Sequence, residues 1–233
     1  MTPFGWAAAN GRSYKYTDRS VYFLNGKCAL KPKANENAQR PTARERLLAA
    51  ADELFYSEGV HVVGVDRIAE RAGVTKATLY NTFGSKEELV RAYLAQHMHN
   101  RKEGIGLILA VKKTPRGRIL GIFAELEEAL IATAFRGCRF ILATAEARPG
   151  DAGEVMSAEY RAWLLNLFTD LAKAAGARNA AQLGRRLLML YDGAAVAARM
   201  DPDRDAAAEA MHSGVVALLD AAIPARRNAS RAL

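Results

Sequence analysis

Residues 64–89 limit the possible folds of this chain more than any other stretch. They read Gly-Val-Asp-Arg-Ile-Ala-Glu-Arg-Ala-Gly-Val-Thr-Lys-Ala-Thr-Leu-Tyr-Asn-Thr-Phe-Gly-Ser-Lys-Glu-Glu-Leu, two short helices about a tight turn with a third, capped helix directly behind. Ile68, Ala69 and Ala72 share one face at helical spacing. Gly73 stops that helix where a left-handed residue is cheapest, and Val74 plugs the corner. Thr75 is placed to cap the next helix, whose apolar face is Leu79 with Phe83. Thr75, Lys76, Ala77, Thr78 and Tyr80 then point outward. Small, hydroxyl-bearing and cationic side chains of this kind suit phosphate oxygens and groove edges. The pattern is a helix-turn-helix whose second helix reads DNA.

Charge placement agrees. From Arg71 to Lys86 there are three cations and no carboxylate, in a chain that is 25% charged. A segment that meets phosphates needs such a gap, because a Glu there would repel the backbone it approaches. Ser85 and Glu88 form a capping-box pair opening the following helix, which leaves its N-terminus and Lys86 facing a phosphate.

Residues 68–89 resemble the DNA-binding signature of TetR-type (TetR/AcrR family) transcriptional regulators: Lys76 between small residues, then Thr78, Leu79-Tyr80, Phe83 and Ser85-Lys86-Glu87. Arg44 to Gly59 resembles that family's first helix, with a stripe at positions 47, 51, 54 and 55 to pack beneath the motif. The resemblance is dense over 42–103. It is weaker at 136–146 and 190–199, which are similar to ligand-domain helices of one branch. It implies that Arg44, Gly64, Thr75, Lys76, Ala77, Thr78, Tyr80, Asn81 and Lys86 contact DNA. One departure stands out: family members usually have Thr or Ser where this chain has Gly64, and glycine brings no hydroxyl to cap the helix or touch a phosphate.

Abundant alanine, modest β-branched content and prolines at plausible boundaries point to an all-α chain of two domains. Thr114-Pro115 and Asp201-Pro202 each set a capping side chain before a proline at the first helical position, and Asn179 pairs with Gln182. Helices are expected near 42–58, 65–72, 76–82, from 86 past 100 until Gly104 and Gly106 loosen it, then 115–134, 138–147, 154–175, 180–199 and 203–222. The divisions are a basic, mostly disordered extension at 1–39, with an Asn25-Gly26 hairpin signal, a helix-turn-helix domain at 40–103, a ligand-binding and dimerisation domain at 104–225, and a flexible tail at 226–233. The formal charge is +8, of which residues 40–103 hold only +1. Overall basicity is therefore weaker evidence for DNA than the local gap.

Two cysteines, no apolar run near ~20 residues and an N-terminus broken by Arg12, Lys15 and Arg19 point to a reduced cytoplasmic protein outside the membrane. No cofactor or metal is expected: His97 and His99 fall on different helix faces, and no nucleophile, base and orienter assemble, which argues against an enzyme. Cys138 reads as a small buried hydrophobe; Arg136 and Arg139 beside it are the features a redox sensor would use. Phe123, Leu126, Leu130, Phe140, Trp163 and Leu167 form a core, and the family resemblance implies a small-molecule cavity among such side chains. Glu125 and Glu146, on otherwise apolar helices, either line it or face solvent. Tyr191, Ala194, Ala198, Met211, Val215 and Leu218, on two helices rich in small residues, are the expected dimer interface. Two-fold symmetry matches a palindromic operator in double-stranded DNA. The function expected is a homodimeric repressor released from its operator by a small-molecule effector; the alternative is a TetR-like DNA-bound interaction protein without one.

Overall fold

The structure, a computed structural model, describes residues 40–224 apart from Glu146, together with the backbone of four short strands ahead of them. Residues 1–38 and 39–233 form two units. In the first, β1 (Trp6–Ala9) pairs antiparallel with β2 (Arg12–Lys15), a ladder the sequence reading did not foresee. β3 (Phe23–Leu24) pairs with β4 (Lys27–Cys28) in a register that brackets Asn25-Gly26, as the hairpin signal predicts. The rest of the 1–39 extension, the tail at 226–233 and the Glu146 side chain lie outside the described residues.

The second unit is helical. Its head comprises α1 (Ala43–Glu58), α2 (Val65–Ala72) and α3 (Lys76–Phe83). The long α4 (Lys86–Val111) runs from the head into a body of α5 (Pro115–Ile131), α6 (Arg139–Ala145), α7 (Ala152–Ala174), α8 (Ala180–Met200) and α9 (Arg204–Ala222). In the body α7 packs on α8, α8 on α9 and α9 on α5, while α4 lies against α7. Leu47, Ala51, Leu54 and Phe55 of α1 are buried with Ile68, Leu79 and Leu89, so the predicted stripe does pack beneath the motif.

Besides shifts of up to three residues at the ends of α5, α6 and α7, two boundaries differ from expectation. α4 does not loosen at Gly104 but continues to Val111, with Gly104, Ile105 and Ile108 buried. A helical glycine loses about 1 kcal/mol against alanine, while burying each isoleucine returns roughly 1.5–3 kcal/mol. The 103/104 division therefore falls inside one continuous helix. The second difference is at α9: Asp201 ends α8, and Asp203 caps α9 by accepting from the Ala206 N–H. Thr114 and Asn179 cap α5 and α8 as predicted. Among the described residues no helix is long and apolar enough to cross a membrane.

Candidate nucleic-acid interface

The turn between α2 and α3 is built by its backbone. Gly73 sits at φ 63°, ψ 41°, the left-handed region, and its N–H reaches the carbonyls of Ala69 and Glu70. Val74 N–H donates to Ala69 O at 3.0 Å, which closes the corner. Thr75 then caps α3: its hydroxyl accepts from Thr78 N–H at 3.1 Å and lies 2.9 Å from the Thr78 hydroxyl. Leu79 is fully buried, which orients the helix and turns Thr75, Lys76, Ala77, Tyr80 and Asn81 to solvent, with Thr78 half-buried beside them. Gly64 starts α2 at φ −80° without a side-chain cap, as its lack of a hydroxyl requires.

At Ser85 only half of the predicted capping box forms. Its hydroxyl accepts from Glu88 N–H at 3.0 Å, but the Glu88 carboxylate takes Arg91 Nε at 3.4 Å. A complete box closes α1, where Thr42 and Glu45 cap each other.

The carboxylate-free stretch of sequence is not free of carboxylates in space. Lys76 Nζ lies 3.0 Å from both oxygens of Asp66 in the first turn of α2. Arg71 grips Glu53 of α1 at 2.7 Å, and Arg67 pairs with Glu58. The hydrogen bond and charge of Asp66 hold the Lys76 ammonium above its ordinary pKa. Both partners are exposed, so the pair is weak and can exchange for a phosphate. Lys86 departs from its expected pose: it is half-buried, and Nζ donates to His61 O at 3.3 Å in the α1–α2 connection. Arg44 lies over the Phe83 ring at 5.5 Å, on the edge of the same head.

Residues 47–93 match the family model described as bacterial regulatory proteins, tetR family. Over 78% of this chain and 96% of its own, a TetR-family transcriptional regulator from Streptomyces coelicolor superposes with a TM-score of 0.75 at 33% identity. The chain belongs to the TetR family of transcriptional regulators. The transcriptional activator FasR of Mycolicibacterium smegmatis is 42% identical over 80 residues, which span 34% of this chain and 36% of FasR. The chain thus covers about a third of the length of such curated relatives. A cysteine-substituted CifR, whose structure includes a 26-bp operator duplex, shares the fold at 23% identity and a TM-score of 0.66, over 76% of this chain and 99% of its own.

In this TetR-family body the described side chains expected to form a ligand wall pack into the hydrophobic core. Phe123 stacks on Phe168 at 5.7 Å, and Phe140 on Tyr160 at 4.0 Å. Leu126 and Leu130 are buried; Trp163 and Leu167 are half-buried against the same core. None of these lines the two clefts of about 90 and 120 Å³, which lie between head and body. The polar centre of the body is Arg101, which sequence reading missed. Its guanidinium meets Glu125 Oε1 at 2.6 Å and donates to the Tyr191 hydroxyl at 2.6 Å. Glu125 Oε2 is buried without a partner. Burial works against the Arg101 charge, but Tyr191 and Glu125 outweigh it and raise its pKa. Burial raises Tyr160 and Tyr191, which stay neutral. A signal existed: Arg101 continues the apolar stripe Leu94, Ile105, Ile108 of α4, where a charge is out of place. Burial also pushes the Cys138 thiol up, away from what a redox sensor needs.

The expected dimer residues need correction. Tyr191, Ala194, Ala198, Met211 and Val215 are buried within the single chain, Tyr191 against Arg101, Phe123 and Phe168, and Leu218 is half-buried. Small side chains let α8 and α9 of one subunit approach each other, so their small-residue faces are used within the chain. Outward on α8 stand Met189, Gly193, Val196 and Met200, at i, i+4, i+7 and i+11; Met189 is 67% and Met200 76% exposed.

Proposed function

We propose that this chain is a cytoplasmic, homodimeric repressor that leaves a palindromic operator when a small molecule engages the Arg101 centre. The carrying observation is that α4 is one unbroken helix from Lys86, at the head, to Arg101, inside the body. Their separation of 15 residues is about 22 Å at 1.5 Å per residue. A ligand that supplies a donor to Glu125 Oε2 shifts the helix on which the head rides. It acts only through its preference for one setting of that helix. The DNA contacts are Thr75, Lys76, Ala77, Thr78, Tyr80 and Asn81, with Arg44 and Lys86 at the flanks and Gly64 contributing backbone alone. The operator duplex in the CifR structure supports this use of the fold. The apolar stripe of Met189, Val196 and Met200 supports a dimer face on α8.

Selection of random duplexes with the full chain tests the reader: two inverted half-sites are expected, and recovery of a single or asymmetric site refutes the dimeric reading. Replacing Arg101 and Glu125 together by Met tests the coupling. The double change removes both charges together, so neither ion is left without its counter-charge and only the neutral Tyr191 hydroxyl loses a donor; the fold survives, and operator affinity is expected to change at least ~10-fold. Affinity within twofold of the parent favours the second reading, a DNA-bound interaction protein with no effector.

A further inference from the structure

We propose that the cleft between head and body binds a phosphate-type anion. It holds about 120 Å³ and is lined by Arg136, Arg139 and Arg199 with Tyr56, Tyr93 and Glu58. Three arginines thus reach its wall, from the loop before α6, from α6 and from the end of α8, with the Arg139 guanidinium 3.8 Å over the Tyr56 ring. Acids answer only part of this charge. Glu58 is taken by Arg67, and Asp52 holds Arg139 Nε at 3.2 Å. Arg199 donates to the Arg136 carbonyl, and among the described residues neither Arg136 nor Arg199 pairs with a carboxylate.

The size selects the class of occupant. Sites for drug-sized ligands run to roughly 300–1,000 Å³, so this cleft suits a small oxyanion. Guanidinium forks match such an anion two oxygens at a time. The loop carrying Arg136 is held in place: Tyr56 OH accepts from Arg136 N–H at 2.8 Å and donates to Gly137 O at 3.2 Å. Gly137 has φ 116°, and a Cβ there would come 3.1 Å from Arg199 Cδ, so only glycine keeps both the turn and the arginine. Occupancy has a consequence for the head. Arg139 serves the cleft and also Asp52 of α1, so an anion drawing on Arg139 competes with the α1 contact. None of Arg101, Glu125 and Tyr191 lines this cleft, so the inference stands or falls apart from the effector reading.

The test is thermal unfolding of the full chain in sodium phosphate against sodium chloride at matched ionic strength. A saturable rise of about 3 °C specific to phosphate is expected. Arg136→Ala with Arg199→Ala, both exposed, should weaken phosphate binding at least ~10-fold, while Arg186→Ala, exposed on α8 outside the cleft, should not. Equal responses to the two salts, or an unchanged phosphate response in the double variant, overturn the proposal. Operator titrations then assign the source. Phosphate that alters operator affinity of the parent and not of the double variant identifies a free anion. Weaker DNA binding with a shallower salt slope in the double variant identifies a backbone phosphate of the duplex.

Discussion

In the head, the pairs Arg67–Glu58, Arg71–Glu53 and Lys76–Asp66 lie at the surface; in the body, Arg101, Glu125 and Tyr191 meet inside the helix packing. The two arrangements have opposite energetics. An exposed pair is worth ~0–1 kcal/mol and exchanges freely, so Asp66 can hold Lys76 until a phosphate replaces it. A buried pair adds little over an apolar core, yet losing one partner is costly. The head is therefore built to trade partners, and the body to hold or switch one arrangement.

The sharpest challenge to this contrast is Glu125→Ala. It removes the carboxylate from a pair whose side chains are 19% and 27% exposed, leaves the Arg101 guanidinium without its counter-charge, and is expected to destabilise by about 1–3 kcal/mol, read by chemical denaturation. A loss under 1 kcal/mol would place the body's pair in the same class as the head's. Val196→Glu comes next. A carboxylate on the outer face of α8 should leave the monomer folded, make it monomeric in sedimentation and lower operator affinity about 100-fold. Ala194→Glu, by contrast, should prevent folding, since Ala194 is buried within the chain. A dimeric Val196→Glu would move the interface off α8.

Within the head, Lys76→Ala should weaken operator binding about 10-fold and reduce the salt slope by about one per subunit. Asp66→Asn should do the reverse, strengthening binding severalfold, because Lys76 no longer has to leave a carboxylate. Gel-shift titrations across salt check both, and two variants moving in the same direction would remove Asp66 as a competitor.

Asp52 joins the two regions. Burial raises its pKa, but the His97 hydrogen bond at 2.7 Å and the Arg139 charge outweigh it, and its carboxyl titrates below the usual range. A depressed folded pKa means that the stabilisation is complete above the unfolded value of about 3.9 and is lost as pH falls through the folded one. The melting-temperature gap between the parent and Asp52→Asn should thus be constant near neutrality and close in acid; a gap independent of pH would show that Asp52 contributes only shape. The smallest effect expected is at Gly64, where nothing lies within 4 Å of an added Cβ. Gly64→Ser should gain a few tenths of a kcal/mol through the missing cap, with slightly tighter DNA binding.

The head was readable from its residues because its determinants are local. Gly73, Thr75 and Ser85 act through contacts three to five residues away, and the apolar spacing of Leu79 marks the inward face, so spacing alone places the turn, the cap and the outward face. The caps at Thr114 and Asn179 were legible for the same reason. Partners far apart in sequence were not. Asp66 meets Lys76 from ten residues away, Asp52 meets His97 from 45, and Arg101 meets Tyr191 from 90. The small residues of α8 and α9 announce close helix packing but cannot say whether the neighbour belongs to the same chain. Burial of Ala194, Ala198, Met211 and Val215 assigns them to the chain itself and leaves Met189, Val196 and Met200 outward. Sequence by itself determined where the helices of the head lie, the caps at Thr75, Thr114 and Asn179, and the family. Tertiary structure decided which charges are paired, because a Coulombic or hydrogen-bonded contact depends on distance in space and carries no period along the chain.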